Sequence, residues 1–123
     1  MRKKIVIFDN NSILIMALNE YLSNKYEVIV EEDLTKILDI CNDYKPDIVI
    51  AELYVNDKFT VDYINKVKEL YKDIKFVIYT RFNQSVIIED LKNIDCIILK
   101  NALLDEIGQK LEDLFNSLCA IFL

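Results

Sequence analysis

Four short apolar runs in this chain each end on a side chain capable of chemistry. Lys4-Ile5-Val6-Ile7-Phe8 leads into Asp9-Asn10, and Asp47-Ile48-Val49-Ile50-Ala51 leads into Glu52. Lys75-Phe76-Val77-Ile78-Tyr79 leads into Thr80, and Cys96-Ile97-Ile98-Leu99 leads into Lys100. As strands of one parallel sheet, these runs would place their C-terminal ends along a single edge, the crevice where open α/β sheets hold ligands. Two acids, an amide, a hydroxyl and an ammonium gathered there form a set suited to a phosphoryl group.

The segments between the runs have to supply the crossovers. Asn11-Ser12 can cap a helix through about residue 24, with Ile13, Met16, Ala17, Leu18 and Leu22 apolar at helical spacing. Glu27-Val28-Ile29-Val30 reads as a short second strand, an edge by its length. Asp33 opens a helix with Leu34, Ile37, Leu38 and Cys41 inward, and it must stop before Pro46. After a polar loop comes a helix over about 60–72, with Val61, Ile64, Val67 and Leu70 inward. Asn83 or Ser85 caps a short helix ending near Lys92, and the last helix starts near Ala102. Strands of near-continuous apolar sequence are covered on both faces. With right-handed crossovers, the alternation predicts a doubly wound five-stranded parallel sheet, flavodoxin-like, in the order 2-1-3-4-5.

Composition narrows the function classes. The 123 residues read as one domain over 1–123. The net charge of −6 argues against direct nucleic-acid binding by this segment, which needs a basic face. No apolar run approaches the length that spans a membrane, and no signal peptide is evident, so a cytoplasmic location is expected. Cys41, Cys96 and Cys119 have no metal-ligand spacing and read as reduced thiols. The absence of histidine removes histidine acid/base chemistry and most zinc sites. The one glycine, Gly108, lies in the last helix, so no glycine-rich turn exists for a dinucleotide. The loop after the first strand, Asn10-Asn11-Ser12-Ile13, likewise lacks the glycine of a flavin-phosphate loop.

The pattern that remains resembles the receiver domain of two-component response regulators, over residues 3 to about 118. The matching segments are Ile5–Asn10, Pro46–Glu52, Val77–Thr80 and Cys96–Lys100. By this resemblance, Asp9 and Asn10 stand where an acidic pair holds Mg²⁺, and Glu52 stands at the phosphoacceptor aspartate. Thr80 and Lys100 stand where a hydroxyl and an ammonium contact the phosphoryl group. Hard oxygen ligands suit Mg²⁺, and the cation, hydroxyl and ammonium together spread phosphoryl charge.

This chain also departs from that pattern. The acceptor is glutamate and the second acid is an amide. The expected Met-Pro and later Gly read Val55-Asn56 and Phe59-Thr60. A small residue after the hydroxyl is replaced by Arg81, a proline after the lysine by Asn101, and the aromatic switch residue by Ile97. The resemblance therefore implies an atypical receiver, not an enzyme, that regulates a protein partner or its own output domain independently of phosphorylation. Glu52 carries its carboxylate ~1.5 Å further than aspartate would, towards Lys100 and Thr80. Mg²⁺ on Asp9, Asn10 and Glu52 is expected to bind poorly, so no cofactor is required. The alternatives are a phosphorylatable, Mg²⁺-dependent receiver and the N-terminal part of a DNA-binding transcription regulator that continues past residue 123. Asn10 can be a turn residue as well as a ligand, and Arg81 a solvated charge as well as part of the pocket. The last helix, through Leu104, Ile107, Leu111, Leu114 and Phe115, carries an apolar stripe wider than one sheet face needs, and a homodimer through it is expected.

Overall fold

The structure, a computed structural model, describes residues 2–81 and 92–116, the Ser12 side chain excepted. The elements in chain order are β1 (Lys4–Phe8), α1 (Ser12–Ser23), β2 (Glu27–Glu31), a 3-10 turn (Leu34–Lys36) running into α2 (Ile37–Tyr44), and β3 (Ile48–Ala51). Then come β4 (Tyr54–Val55), β5 (Lys58–Phe59), α3 (Thr60–Leu70), β6 (Lys75–Thr80), β7 (Cys96–Leu99) and α4 (Leu104–Phe115). The helix expected after Asn83 or Ser85 lies outside the described residues.

Five strands pair in the order β2-β1-β3-β6-β7, all parallel. With the small β4–β5 hairpin set aside, this is the expected doubly wound arrangement. Ile5, Val6, Ile7 and Phe8 are all fully buried, as a strand covered on both faces must be. Alternation assigns the two faces. Val6, Phe8, Val49, Ala51, Phe76 and Ile78 pack against α2 and α3 through Ile37, Cys41, Val61, Ile64 and Val67. Ile5, Ile7, Ile48, Ile50, Val77, Tyr79 and Ile98 pack against α1 and α4 through Ile15, Leu18, Leu22, Ile107 and Leu111. Burial pushes the Cys41 thiol up to about 11, which makes it an inert core residue.

Local chemistry ends the elements. Asp33 accepts hydrogen bonds from the Thr35 amide (3.0 Å) and hydroxyl (2.6 Å), opening the turn into α2. Lys45 closes α2 in the left-handed region at φ 55°, one residue before Pro46. Asn56 and Asp57, at φ 49° and 65°, form the two-residue turn of the β4–β5 hairpin. That is the mirror-type turn whose twist suits antiparallel strands. It stands where the sequence predicts only a polar loop.

Apolar assignments change on all four helices. On α1 the inward residues are Ile15, Leu18 and Leu22, while Ile13 and Met16 are 81% and 70% exposed and Ala17 is exposed too. The i, i+3, i+7 face that meets the sheet starts at Ile15, so Ile13 falls on the far side. Leu38, beside the buried Ile37 and Cys41 on α2, and Leu70 at the end of α3 also face solvent. On α4, Ile107 and Leu111 are 1% and 0% exposed, so they cannot form a dimer interface. They fill the layer over β1, β3, β6 and β7. Leu114 and Phe115 pack partly onto the same core, Phe115 against the Tyr26 ring at 5.2 Å. Leu104 alone of the five stands at the edge.

Leu111→Ala should therefore cost about 2–5 kcal/mol, the range for a core leucine truncated to alanine. Chemical denaturation at matched concentrations reads this. A midpoint that stays put while the oligomer mass falls would mean that Leu111 serves an interface.

Candidate functional site

The strand ends meet as the topology requires. β1 and β3 are neighbours, and the Glu52 amide donates to the Phe8 carbonyl at 3.1 Å, one step past the last paired residues. The Lys100 amide donates to the Thr80 carbonyl at 2.9 Å, which extends the β6–β7 pairing in the same way. These backbone bonds fix where Asp9, Glu52, Thr80 and Lys100 leave the sheet.

The Lys100 ammonium sits between two carboxylates. Its Nζ lies 2.9 Å from Asp9 Oδ2 and 2.9 Å from Glu52 Oε1. The Lys100 and Asp9 side chains are 4% and 1% exposed, that of Glu52 14%. An ammonium this far from water would lose its proton or disrupt the fold unless paired. Burial pulls the Lys100 pKa down, but Asp9 and Glu52 more than reverse this, so it lies above the ordinary 10.5. The ammonium also sits 5.6 Å from the Tyr79 ring centroid. Burial itself raises the Tyr79 hydroxyl pKa.

The remaining oxygens are engaged as well. Asp9 Oδ1 accepts from the Asn11 amide at 2.9 Å, the turn that leads into α1. Asp9 Oδ2 accepts no aligned hydrogen bond from the described residues, so the Lys100 charge is what compensates it. Glu52 Oε2 accepts from the Leu53 amide at 2.6 Å. Asn10 Nδ2 donates to Asn56 Oδ1 at 3.0 Å, and Asn56 Nδ2 donates to the Glu32 carbonyl at 3.1 Å. Asn10 is thus tied to the hairpin tip. Thr80 is buried at the end of β6. A shallow cavity of about 240 Å³ is lined by Asp9, Asn10, Asn11, Glu52, Tyr54, Arg81 and Lys100.

A magnesium ion at Asp9, Asn10 and Glu52 would have to share both carboxylates with Lys100. Two of their oxygens face Lys100, two take backbone amides, and Asn10 turns its nitrogen to Asn56. Among the described residues no group of three acidic, cysteine or histidine side chains could hold a metal ion. Two carboxylates already paired with an ammonium, beside an uncharged amide, make a poor donor set for the ion.

The structure brings Asp9, Glu52 and Lys100 into one ion cluster and places Asn10 and Arg81 on the rim of its cavity. The α4 residues Leu104, Ile107, Leu111, Leu114 and Phe115 stand apart from it. Sequence reasoning missed Thr60, fully buried at the start of α3, whose hydroxyl donates to the Glu52 carbonyl. It also missed Asn56. The Asn-Asp pair between Tyr54-Val55 and Lys58-Phe59 was a signal for a tight hairpin, but nothing in the sequence marks Thr60.

No protein-family model and no curated protein matches the sequence. Solved structures do match in fold. A response regulator receiver domain protein (CheY-like) from Methanospirillum hungatei superposes with a TM-score of 0.87 at 15% identity, over 95% of this chain and 96% of that one. The N-terminal domain of a response regulator/sensory box/GGDEF three-domain protein from Carboxydothermus hydrogenoformans gives 0.83 at 13% identity, over 98% and 100%. A DNA-binding response regulator of the LuxR family from Staphylococcus aureus gives 0.80 at 16%, over 90% and 97%. At these identities the likeness establishes a shared fold.

The raised Lys100 pKa sets a pH dependence. A cation whose folded pKa exceeds its unfolded value of about 10.5 stabilises the fold below that pH and stops doing so as pH rises through the folded value. Lys100→Met should lose about 3–5 kcal/mol at neutral pH, towards the lower end because Glu52 is partly wet. The variant should also show a smaller alkaline loss than wild type. Denaturation curves on both sides of this pH test the pair, and identical pH profiles would mean that it contributes nothing.

Proposed function

We propose that this chain is an atypical receiver domain that regulates a protein partner, or an output domain of its own, by protein–protein contact. In this reading it catalyses no reaction and does not depend on phosphorylation. The observation that carries the proposal is the Lys100 ammonium held at 2.9 Å from both Asp9 and Glu52. A phosphoacceptor needs a carboxylate oxygen free to attack and a cation to neutralise the incoming group. Here Glu52 offers one oxygen to Lys100 and the other to a backbone amide, and Asn10 supplies no charge for a metal. The longer side chain of Glu52 brings its own negative charge to the ammonium. Two unit charges about 4 Å apart attract by ~4 kcal/mol at an effective dielectric of 20, before desolvation is subtracted. That is comparable with the gaps separating signalling states, so the side chain can hold the domain in one state.

Similarity to the N-terminal domain of a three-domain response regulator and to a DNA-binding response regulator supports an attached or separate output partner. No helix among the described residues is long and apolar enough to cross a membrane. A homodimer through the α4 stripe loses its support, because Ile107 and Leu111 are spent on the core.

The second reading is a receiver that still accepts phosphate. It is favoured by the presence of Asp9, Glu52, Thr80 and Lys100 on the four strand ends. Intact mass after incubation with a small phosphodonor and Mg²⁺ separates the two. Wild type should show no phosphoryl adduct and no saturable Mg²⁺ binding at millimolar concentration. Glu52→Asp, with a shorter reach, should gain both in some measure. A stable adduct on wild type would establish the second reading and end the first.

Glu52→Gln keeps the size and removes the charge, leaving Lys100 with Asp9 alone. It should melt below Glu52→Asp. Equal melting temperatures for wild type, Glu52→Gln and Lys100→Met would remove the self-locked site while leaving the fold untouched.

A further inference from the structure

The β4–β5 hairpin pairs at only two positions, Tyr54 with Phe59 and Val55 with Lys58. A two-stranded ribbon that short is not stable by itself. Its base is anchored by Leu53 and Val55, 2% and 1% exposed, and by the Thr60 hydroxyl on the Glu52 carbonyl. Its outer part, with Tyr54, Asn56, Asp57 and Lys58, is exposed. Two side-chain bonds of Asn56 hold that part, one with Asn10 at 3.0 Å and one with the Glu32 carbonyl at 3.1 Å. Tyr54, its ring 5.2 Å from that of Phe59, and Asn10 both line the cavity of about 240 Å³ over Asp9, Glu52 and Lys100.

The direction of these bonds is set at one end. A backbone carbonyl can only accept, so the Glu32 carbonyl takes Asn56 Nδ2 and leaves Asn56 Oδ1 facing Asn10. Position 10 must therefore donate, which an amide does and a carboxylate does not. We propose that the hairpin is a strap across the rim of the crevice, that Asn10 is its catch, and that the closed strap limits the access of small solutes to Glu52 and Lys100. An aspartate at position 10 would set a carboxylate against Asn56 Oδ1, or turn the Asn56 amide over and set its oxygen against the Glu32 carbonyl. One bond is lost either way. The amide that leaves the crevice one negative charge short is thus the group that fastens the strap. Release of Asn56 frees the tip and with it the Tyr54 wall of the cavity, while Val55 and Thr60 keep the base in place. The strap does not rest on the signalling reading, because its fastening leaves the Glu52 carboxylate untouched, and it would close in the same way over a site that took up phosphate.

Hydrogen exchange over residues 53–59 reads the strap, and carbodiimide coupling of glycine ethyl ester to Glu52, followed by peptide mass, reads access. Asn56→Gly keeps the left-handed backbone and removes the side chain. It should speed hairpin exchange by ~10-fold and Glu52 labelling by a similar factor, with β1 exchange and labelling of the exposed Glu20 as in wild type. Asn10→Asp and Asn10→Leu lack the donor alike, and each should speed hairpin exchange by at least ~3-fold. Hairpin exchange that stays at the wild-type rate in Asn56→Gly or in Asn10→Asp overturns the catch. Faster hairpin exchange with unchanged Glu52 labelling overturns the control of access. A rise in β1 exchange equal to that of the hairpin in all three variants overturns the proposal as well, since the whole fold and not the strap would then be opening.

Discussion

Covering both faces of the central sheet is the constraint from which the rest follows. Strand residues such as Ile5 to Phe8 and Ile48 to Ala51 have no solvent-facing side, so every position is apolar. Polar groups are driven to the strand ends, where the parallel arrangement collects them on one edge. That edge is itself walled by helix starts, so what gathers there is only partly wet. An ammonium in such a place has to bring its counter-charges with it. Lys100 does so with Asp9 from the end of β1 and Glu52 from the end of β3. The cluster therefore joins β7, at one edge of the sheet, to β1 and β3 across β6.

The same crevice is closed a second time from its rim. The β4–β5 hairpin turns tightly at Asn56 and Asp57 and sends Asn56 to both Asn10 and the Glu32 carbonyl. Thr60 anchors the base of that segment by donating to the Glu52 carbonyl, and the Thr60 amide donates to the Leu53 carbonyl at 2.9 Å. Glu52 is thus held by backbone partners on one side and by charge on the other. An aspartate here would keep the backbone position but fall ~1.5 Å short in its side chain. The glutamate is what lets one side chain satisfy both Lys100 and the Leu53 amide.

The helices divide their apolar residues between core and surface in a way that composition hides. α4 spends Ile107 and Leu111 on the sheet and ends in contacts of Phe115 with Tyr26. The Tyr26 hydroxyl donates to Glu112 at 2.6 Å, and Lys25 pairs with the same carboxylate, fastening that end to the α1–β2 turn. α1 has apolar residues to spare, and they face outward at its start. At the open edge of the sheet, β2 begins and ends on Glu27 and Glu31, charges that discourage another strand from adding there.

The five strands of the parallel sheet, their order and the four strand-end residues were legible in the sequence, because unbroken apolar runs, turns rich in Asn and Asp and the proline that stops α2 are local signals, whereas the β4–β5 hairpin was not. Asp9, Glu52, Thr80 and Lys100 were legible because strand ends in a parallel sheet share an edge whatever the side chains are. That Lys100 serves two carboxylates at once, and that Asn10 turns to the hairpin, comes from packing between distant segments. So does the hold of Thr60 on the Glu52 carbonyl, and the choice of Ile15 rather than Ile13 to face the sheet. Each of these depends on the rotation of a helix or the reach of a side chain relative to residues far away in the chain. Periodicity tells that a face exists, but the angle at which that face meets its neighbours is set by packing, and packing has no local signature.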